Sequence, residues 1–156
     1  MKPIAQIAAD LESGATTSRA LTEEALARIE DPNGEGARTF IRVFRDSALA
    51  EADSSDGLRK TGIVPSPLAG IPVSIKDLCD VAGVTTLAGS IVRRNAPPAT
   101  RDAAIVARLR ASGAVIMGTT NMTEFACGGL GLNPHYGDCR NAYDRETGRV
   151  PGGASA

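Results

Sequence analysis

Apolar positions recur at helical spacing over residues 3–30: Ile4, Ile7, Ala8 and Leu11 share one face, Gly14 stops the run, and Leu21, Ala25 and Ile29 resume it. Thr17 or Ser18 can cap the second stretch, so the pattern predicts two short helices packed on something larger. Residues 39–44 are rich in β-formers between Gly36 and Asp46 and predict a strand. Residues 46–60 hold few large apolar side chains and predict an exposed helix. The stretch 62–70, with Pro65, Pro67, Gly62, Ser66 and Gly70, reads as a connector.

Beyond the connector the texture changes. Residues 71–75 form a short apolar run with an early proline, as at a strand start, and residues 115–117 form another, closed by Gly118. Between them residues 103–110 read as a helix, with Asp102 or Thr100 as cap and Gly113 just past its end. Strand, helix and strand in this order make a βαβ unit, which demands a sheet at least partly parallel with both faces covered. Asn121 and Glu124 have the spacing of a capping box and predict one more short helix. From Gly128 onward the chain is glycine-rich and predicts loop.

Composition narrows the functional classes. The chain has 156 residues, 42% hydrophobic and 22% charged, which is ordinary for a chain that buries a core and unlike a disordered one. Seventeen basic against eighteen acidic side chains leave a net charge of -1, and only 3% of residues are aromatic, so nucleic acid is not an implied partner. No apolar run is long enough to span a membrane, and the first residues are too polar for a secretory signal. A cytoplasmic protein is expected. Cys79, Cys127 and Cys139 form no C-x-x-C pair and read as free thiols. Zinc held by Cys127, His135 and Cys139 would need a spacing that matches no standard site.

Lys76 directly follows the strand 71–75, at the carboxyl end where open α/β sheets place their ligands. By position alone a solvated strand end is the commoner reading. Asp77 should point to the other side and fix backbone or loop. Near the end, Gly152-Gly153-Ala154-Ser155 would let backbone N–H groups and a hydroxyl approach a ligand, or would be plain flexible tail. Gly128 to Gly131 is not a dinucleotide fingerprint, because no strong strand precedes it and no helix follows.

Taken together, P-L-A-G-I-P-V-S-I-K-D at 67–77, G-T-T-N-M-T-E-F-A at 118–126, L-N-P-H-Y-G at 132–137 and V-P-G-G at 150–153 form an ordered set that resembles the amidase-signature family. The resemblance runs from Pro67 to the last residue, and the helical start is similar to the family's lead-in. It implies an α/β fold with a mixed, largely parallel sheet flanked by helices. Residues 1–156 would be the N-terminal part of one such domain, with a helical lead-in at 1–62 and the start of the catalytic core at 63–156. It implies hydrolysis of a carboxamide to acid and ammonia or amine, by a Ser-Ser-Lys triad and an acyl-enzyme. By that resemblance Lys76 is the base, position 154 is that of the bridging serine and is here Ala154, Ser155 is the next hydroxyl residue, and the nucleophile falls beyond residue 156. Ala126, Cys127, Gly128 and Gly129 would line the acyl pocket through their backbone. The implied ligand is a small amide, without cofactor or metal, and a homodimer is an assembly to test for.

The residue types suit that chemistry. A serine hydroxyl needs a base, and the single histidine, His135, has no Asp-His-Ser arrangement around it. A lysine serving as base near neutrality must have its pKa lowered by about 3 units, through burial or a nearby positive charge. Alternatives stay open: a glutaminase subunit of a tRNA-dependent amidotransferase would share the triad, while Ala154 and the missing nucleophile favour a non-catalytic binding or scaffold homologue. Alanine at 154 fits an engineered substitution, a decayed site, or a pairing shifted onto Ser155.

Overall fold

The computed structural model describes residues 2–141, 143, 144, 146 and 147. The two predicted N-terminal helices are α1 (Ile4–Glu12) and α2 (Ser18–Glu30). Of the two candidate caps, Thr17 is the one used, its hydroxyl accepting the Ala20 N–H at 3.0 Å. Ser18 is buried and donates instead to the Gly70 carbonyl at 2.8 Å, tying α2 to the connector. A short helix α3 (Gly36–Thr39) precedes β1 (Phe40–Val43), and α4 (Arg45–Lys60) follows. Strands β2 (Pro72–Lys76) and β3 (Val115–Thr120) flank α5 (Ala104–Ala111).

The strand order is β1-β3-β2, with β3 antiparallel to β1 and parallel to β2. The sheet is therefore mixed, and the βαβ unit read from the sequence is present. All six β3 residues are buried, and their side chains alternate between two apolar clusters, as strand geometry requires. On one face Val115 and Met117 meet Leu26 of α2 with Ala48 and Ala52 of α4; on the other Ile116 meets Ile75, Val81 and Val106 of α5. Each fully buried aliphatic side chain contributes about 1.5–3 kcal/mol, so these clusters lock the helices onto the sheet.

One local expectation is narrowed and two are corrected. Helix α4 is exposed over most of its length but not on every side: Ala48 and Ala52 are 0% exposed, because small side chains let that stripe lie close on β3. Gly118 does not close a strand but sits inside β3, where a Cβ would lie 2.1 Å from the Arg42 carbonyl oxygen of β1. Neither Asp102 nor Thr100 caps α5. Its N-cap is Ala103, without a side-chain bond, while the Asp102 carboxylate accepts the Ala82 N–H at 2.7 Å and the Arg110 Nε–H at 3.0 Å. Gly113 follows the helix as expected, at φ 80°. Among the described residues no helix is long and apolar enough to cross a membrane.

Candidate active site

The carboxyl ends of the parallel strands β2 and β3 lie side by side, with Lys76 in register with Thr120. Chain leaving this edge forms the candidate site. Lys76 is half-buried, and among the described residues its ammonium has no hydrogen-bond or ion-pair partner. Asp77, next along, is 1% exposed. Its N–H donates to the Thr120 carbonyl at 3.1 Å, and its own carbonyl accepts the Ala88 N–H at 3.0 Å. Its carboxylate Oδ2 accepts the Gly89 N–H at 3.0 Å. Asp77 thus fixes a loop, as read from its alternation with Lys76. Burial pushes its pKa up, against the lowering effect of the Gly89 and Leu87 N–H groups and the Thr119 hydroxyl.

The turn at 87–90 is the hub of the site. Ala88 and Gly89 are left-handed at φ 53° and 66°, and at Gly89 a Cβ would meet the Met122 carbonyl oxygen at 2.7 Å. The Ala88 carbonyl accepts the Phe125 N–H at 2.8 Å. The Gly89 carbonyl accepts from Asn133 Nδ2 at 2.8 Å, and the same amide donates to the Met122 carbonyl at 2.6 Å. Two hydrogen bonds in series therefore run from the residue after Lys76, through Ala88, to the turn at 124–127.

That turn departs from expectation. Asn121 and Glu124 do not form a capping box; a single 3-10 turn spans Glu124–Ala126, because Asn121 Oδ1 accepts the neighbouring Met122 N–H at 2.8 Å and the Glu124 carboxylate is committed to Ser90 and His135. The fully buried Asn121 donates from Nδ2 to the carbonyls of Arg38 and Gly137 at 2.9 and 2.8 Å. Glu124 Oε1 accepts from Ser90 Oγ at 2.6 Å and lies 3.2 Å from His135 Nε2. The Ser90 hydroxyl, and behind it the His135 ring, hold the Glu124 carboxyl below its ordinary pKa. Phe125 and Ala126 adopt φ 51° and 58°, a left-handed conformation costing non-glycine residues on the order of 1–3 kcal/mol each.

Ala126, Cys127, Gly128 and Gly129 follow Phe125 in the chain that leaves β3, and Phe125 is bonded to the 87–90 turn. Cys127 and Gly129 are exposed, and Gly129 has nothing within 4 Å of a built Cβ, so its backbone is open to approach. Ala154 and Ser155, with the rest of the turn from Pro151, lie outside the described residues. The three cysteines are free thiols, and burial pushes that of Cys139 up. Among the described residues no three His, Cys, Asp or Glu side chains gather as metal ligands. Asn133 and Ser90 escape sequence reasoning, since a lone asparagine or serine in a loop carries no periodic signal. Only their burial, at 1% and 0% exposure, marks them.

The Amidase family model matches residues 20–156. Among curated proteins, the chain is 47% identical over 154 residues to AtzE of Pseudomonas sp. (strain ADP), a 1-carboxybiuret hydrolase subunit, covering 96% of this chain and 32% of that protein. It is 41% identical over 145 residues to a glutamyl-tRNA(Gln) amidotransferase subunit of Syntrophus aciditrophicus (strain SB), covering 93% of this chain and 29% of that protein. A solved structure described as an unexpected vestigial protein complex, bearing on the evolutionary origins of an s-triazine catabolic enzyme, superposes with TM-score 0.90 at 45% identity, over 98% of this chain and 33% of that one. The native peptide amidase of Stenotrophomonas maltophilia superposes with TM-score 0.80 at 35% identity, over 92% of this chain and 30% of that one. The chain spans about a third of the length of these relatives. With a family model over most of its length and the same fold in solved relatives, the chain belongs to the Amidase family.

Proposed function

We propose that residues 1–156 are the N-terminal part of an amidase domain that hydrolyses a small linear carboxamide through an acyl-enzyme. The segment 1–62 is the helical lead-in and 63–156 opens the catalytic core. Lys76 is the base. The observation that carries this reading is the placement of a half-buried lysine, without an anionic partner among the described residues, at the carboxyl end of β2, where the next residue, Asp77, is joined by two hydrogen bonds in series to Phe125, just before Ala126 to Gly129.

In this mechanism the neutral lysine amine takes the proton of a serine hydroxyl, directly or through a second hydroxyl at 154–155. The serine oxygen attacks the amide carbonyl carbon, the proton passes to the leaving nitrogen, and water then cleaves the ester. The attacking serine lies C-terminal to residue 156, as the family resemblance implies. Backbone N–H groups of the 126–129 turn line the acyl side of the bound amide. Residues 1–156 alone are therefore inactive, and Ala154, which lacks the bridging hydroxyl, makes the longer chain a slow form of the catalyst.

A glutaminase role within an amidotransferase is the second reading, favoured by the 41% identity to an amidotransferase subunit. In both readings the likeness to named subunits supports a partner subunit or a second copy of the chain, and the free thiols support a cytoplasmic setting. A non-catalytic scaffold rests on Ala154 and on a nucleophile that falls beyond residue 156. The test uses a longer chain in which residues 1–156 continue through the attacking serine. Ala154→Ser there is expected to raise hydrolysis of small carboxamides by roughly 10² or more, the scale of an acid-base element. Lys76→Ala should abolish that gain. A folded Ala154→Ser chain that neither binds nor cleaves a simple amide favours the scaffold.

A further inference from the structure

One carboxylate oxygen joins three separate segments at the edge of the site. Glu124 Oε1 receives the hydroxyl of the fully buried Ser90, on the 87–90 hub, at 2.6 Å. It also meets Nε2 of His135 at 3.2 Å, and His135 belongs to the loop that Asn133 pins to Gly89 and Met122. Immediately after Glu124 come Phe125 and Ala126, both left-handed without being glycine. Their backbone is held by Phe125 N–H on the Ala88 carbonyl at 2.8 Å and by Ala126 N–H on the Thr123 carbonyl at 2.9 Å. Neither bond alone sets the direction in which the chain leaves the turn. The Cys127 N–H on the Glu124 carbonyl, at 3.1 Å, makes that direction depend on where Glu124 is anchored.

A plain surface ion pair would look different. The Glu124 and His135 side chains are partly exposed, and such a pair is worth little in itself. A short bond to a wholly buried hydroxyl is another matter, because Ser90 cannot reorient to water if the carboxylate leaves.

We propose that Glu124 is a positioning residue for acyl-group selection: through Ser90 and His135 it holds the Phe125–Ala126 turn left-handed and so sets where the Cys127 to Gly129 backbone faces the substrate. The proposal rests on the amidase reading of this site. Because the bond to Ser90 needs only an acceptor, glutamine can replace glutamate, whereas alanine cannot.

Two measurements in the longer Ala154→Ser chain test this. The first is the ratio of kcat/KM for acetamide to that for benzamide, which a merely structural role would leave unchanged while lowering both. Glu124→Ala is expected to shift the ratio by about tenfold or more, since misplacement near 1 Å carries effects of that order, and Glu124→Gln to keep it within about threefold. The second is the maleimide labelling rate of Cys127, an exposed thiol in the same turn, with every other cysteine of the longer chain, Cys79 and Cys139 included, replaced by serine. That rate is expected to rise by about threefold or more in Glu124→Ala as the turn opens, and to stay at the parent value in Glu124→Gln. An unchanged ratio in a folded Glu124→Ala chain overturns the proposal. So does a glutamine variant that behaves like alanine, which would make charge rather than the hydrogen bond the cause. A parent chain that cleaves no carboxamide defeats the amidase reading and the acyl-selection role with it, whereas an active parent with an unaltered Glu124→Ala ratio defeats only the latter.

Discussion

Replacing Asp77 separates two things that one buried carboxylate does. Asp77→Ala removes the acceptor of the Gly89 N–H, a 3.0 Å bond inside a turn that exposes almost none of its backbone. A hydrogen bond to a charged group contributes about 1.5–3 kcal/mol, and removing a carboxylate whose burial is unfavourable offsets part of that. A net loss of about 2 kcal/mol follows. Asp77→Asn keeps the acceptor and removes the charge, so its cost near neutrality should stay within about 1 kcal/mol. Its sign with pH is fixed by the direction of the shift. Burial raises the folded-state pKa, so the folded chain holds this proton over a range in which the unfolded chain has released it. Stability from this group is therefore full below the ordinary carboxylate pKa and is lost as pH rises through the raised value. Asn cannot titrate, so Asp77→Asn should compare more favourably with the parent at pH 7.5 than at pH 4. Urea unfolding of the longer chain at the two pH values reads this directly. Alanine and asparagine variants of equal stability, with no pH dependence between them and the parent, would refute the reasoning.

Two further predictions concern packing. Glu51 Oε2 accepts the Ile116 N–H of the central strand at 2.9 Å while Oε1 takes the exposed Arg110 guanidinium at 2.6 Å. Glu51→Ala should cost about 1–3 kcal/mol through the orphaned strand N–H, against about 0–1 kcal/mol for Arg110→Ala, as a denaturant comparison will show. Residues 1–156 expressed alone should aggregate or bind a complementary fragment, because β2 ends the described sheet with an open edge. A monomer with one cooperative melt would contradict this.

The parts of the fold legible in the sequence are those written in large apolar residues. Ile71 to Ile75, Val115 to Met117 and the helix between them announce a βαβ unit by periodicity alone, and Lys76 falls at the strand end that topology assigns to ligands. Helix α4 reads as exposed because its buried face is made of Ala48 and Ala52, whose small side chains give almost no hydrophobic signal while permitting close approach. The Asn121–Glu124 spacing misleads for a different reason. A capping box and a pair of tertiary anchors use the same residue types, and only the partners, Arg38, Gly137, Ser90 and His135, decide between them. Those partners sit from 11 to 83 residues away, beyond the reach of any local pattern.

The central claim is that Lys76 supplies the base that lets a serine form an acyl-enzyme, and intact-mass analysis of the longer Ala154→Ser chain tests it most directly. Mixed with an activated acyl donor and quenched in acid, that chain should gain the mass of one acyl group on a single serine C-terminal to residue 156. In Lys76→Ala, with folding unchanged, the acylation rate should fall by about 10² to 10⁴, the contribution of a general base. Acylation of Lys76→Ala at a rate within a few-fold of its parent, or no acyl adduct during active turnover of a carboxamide, would contradict the account.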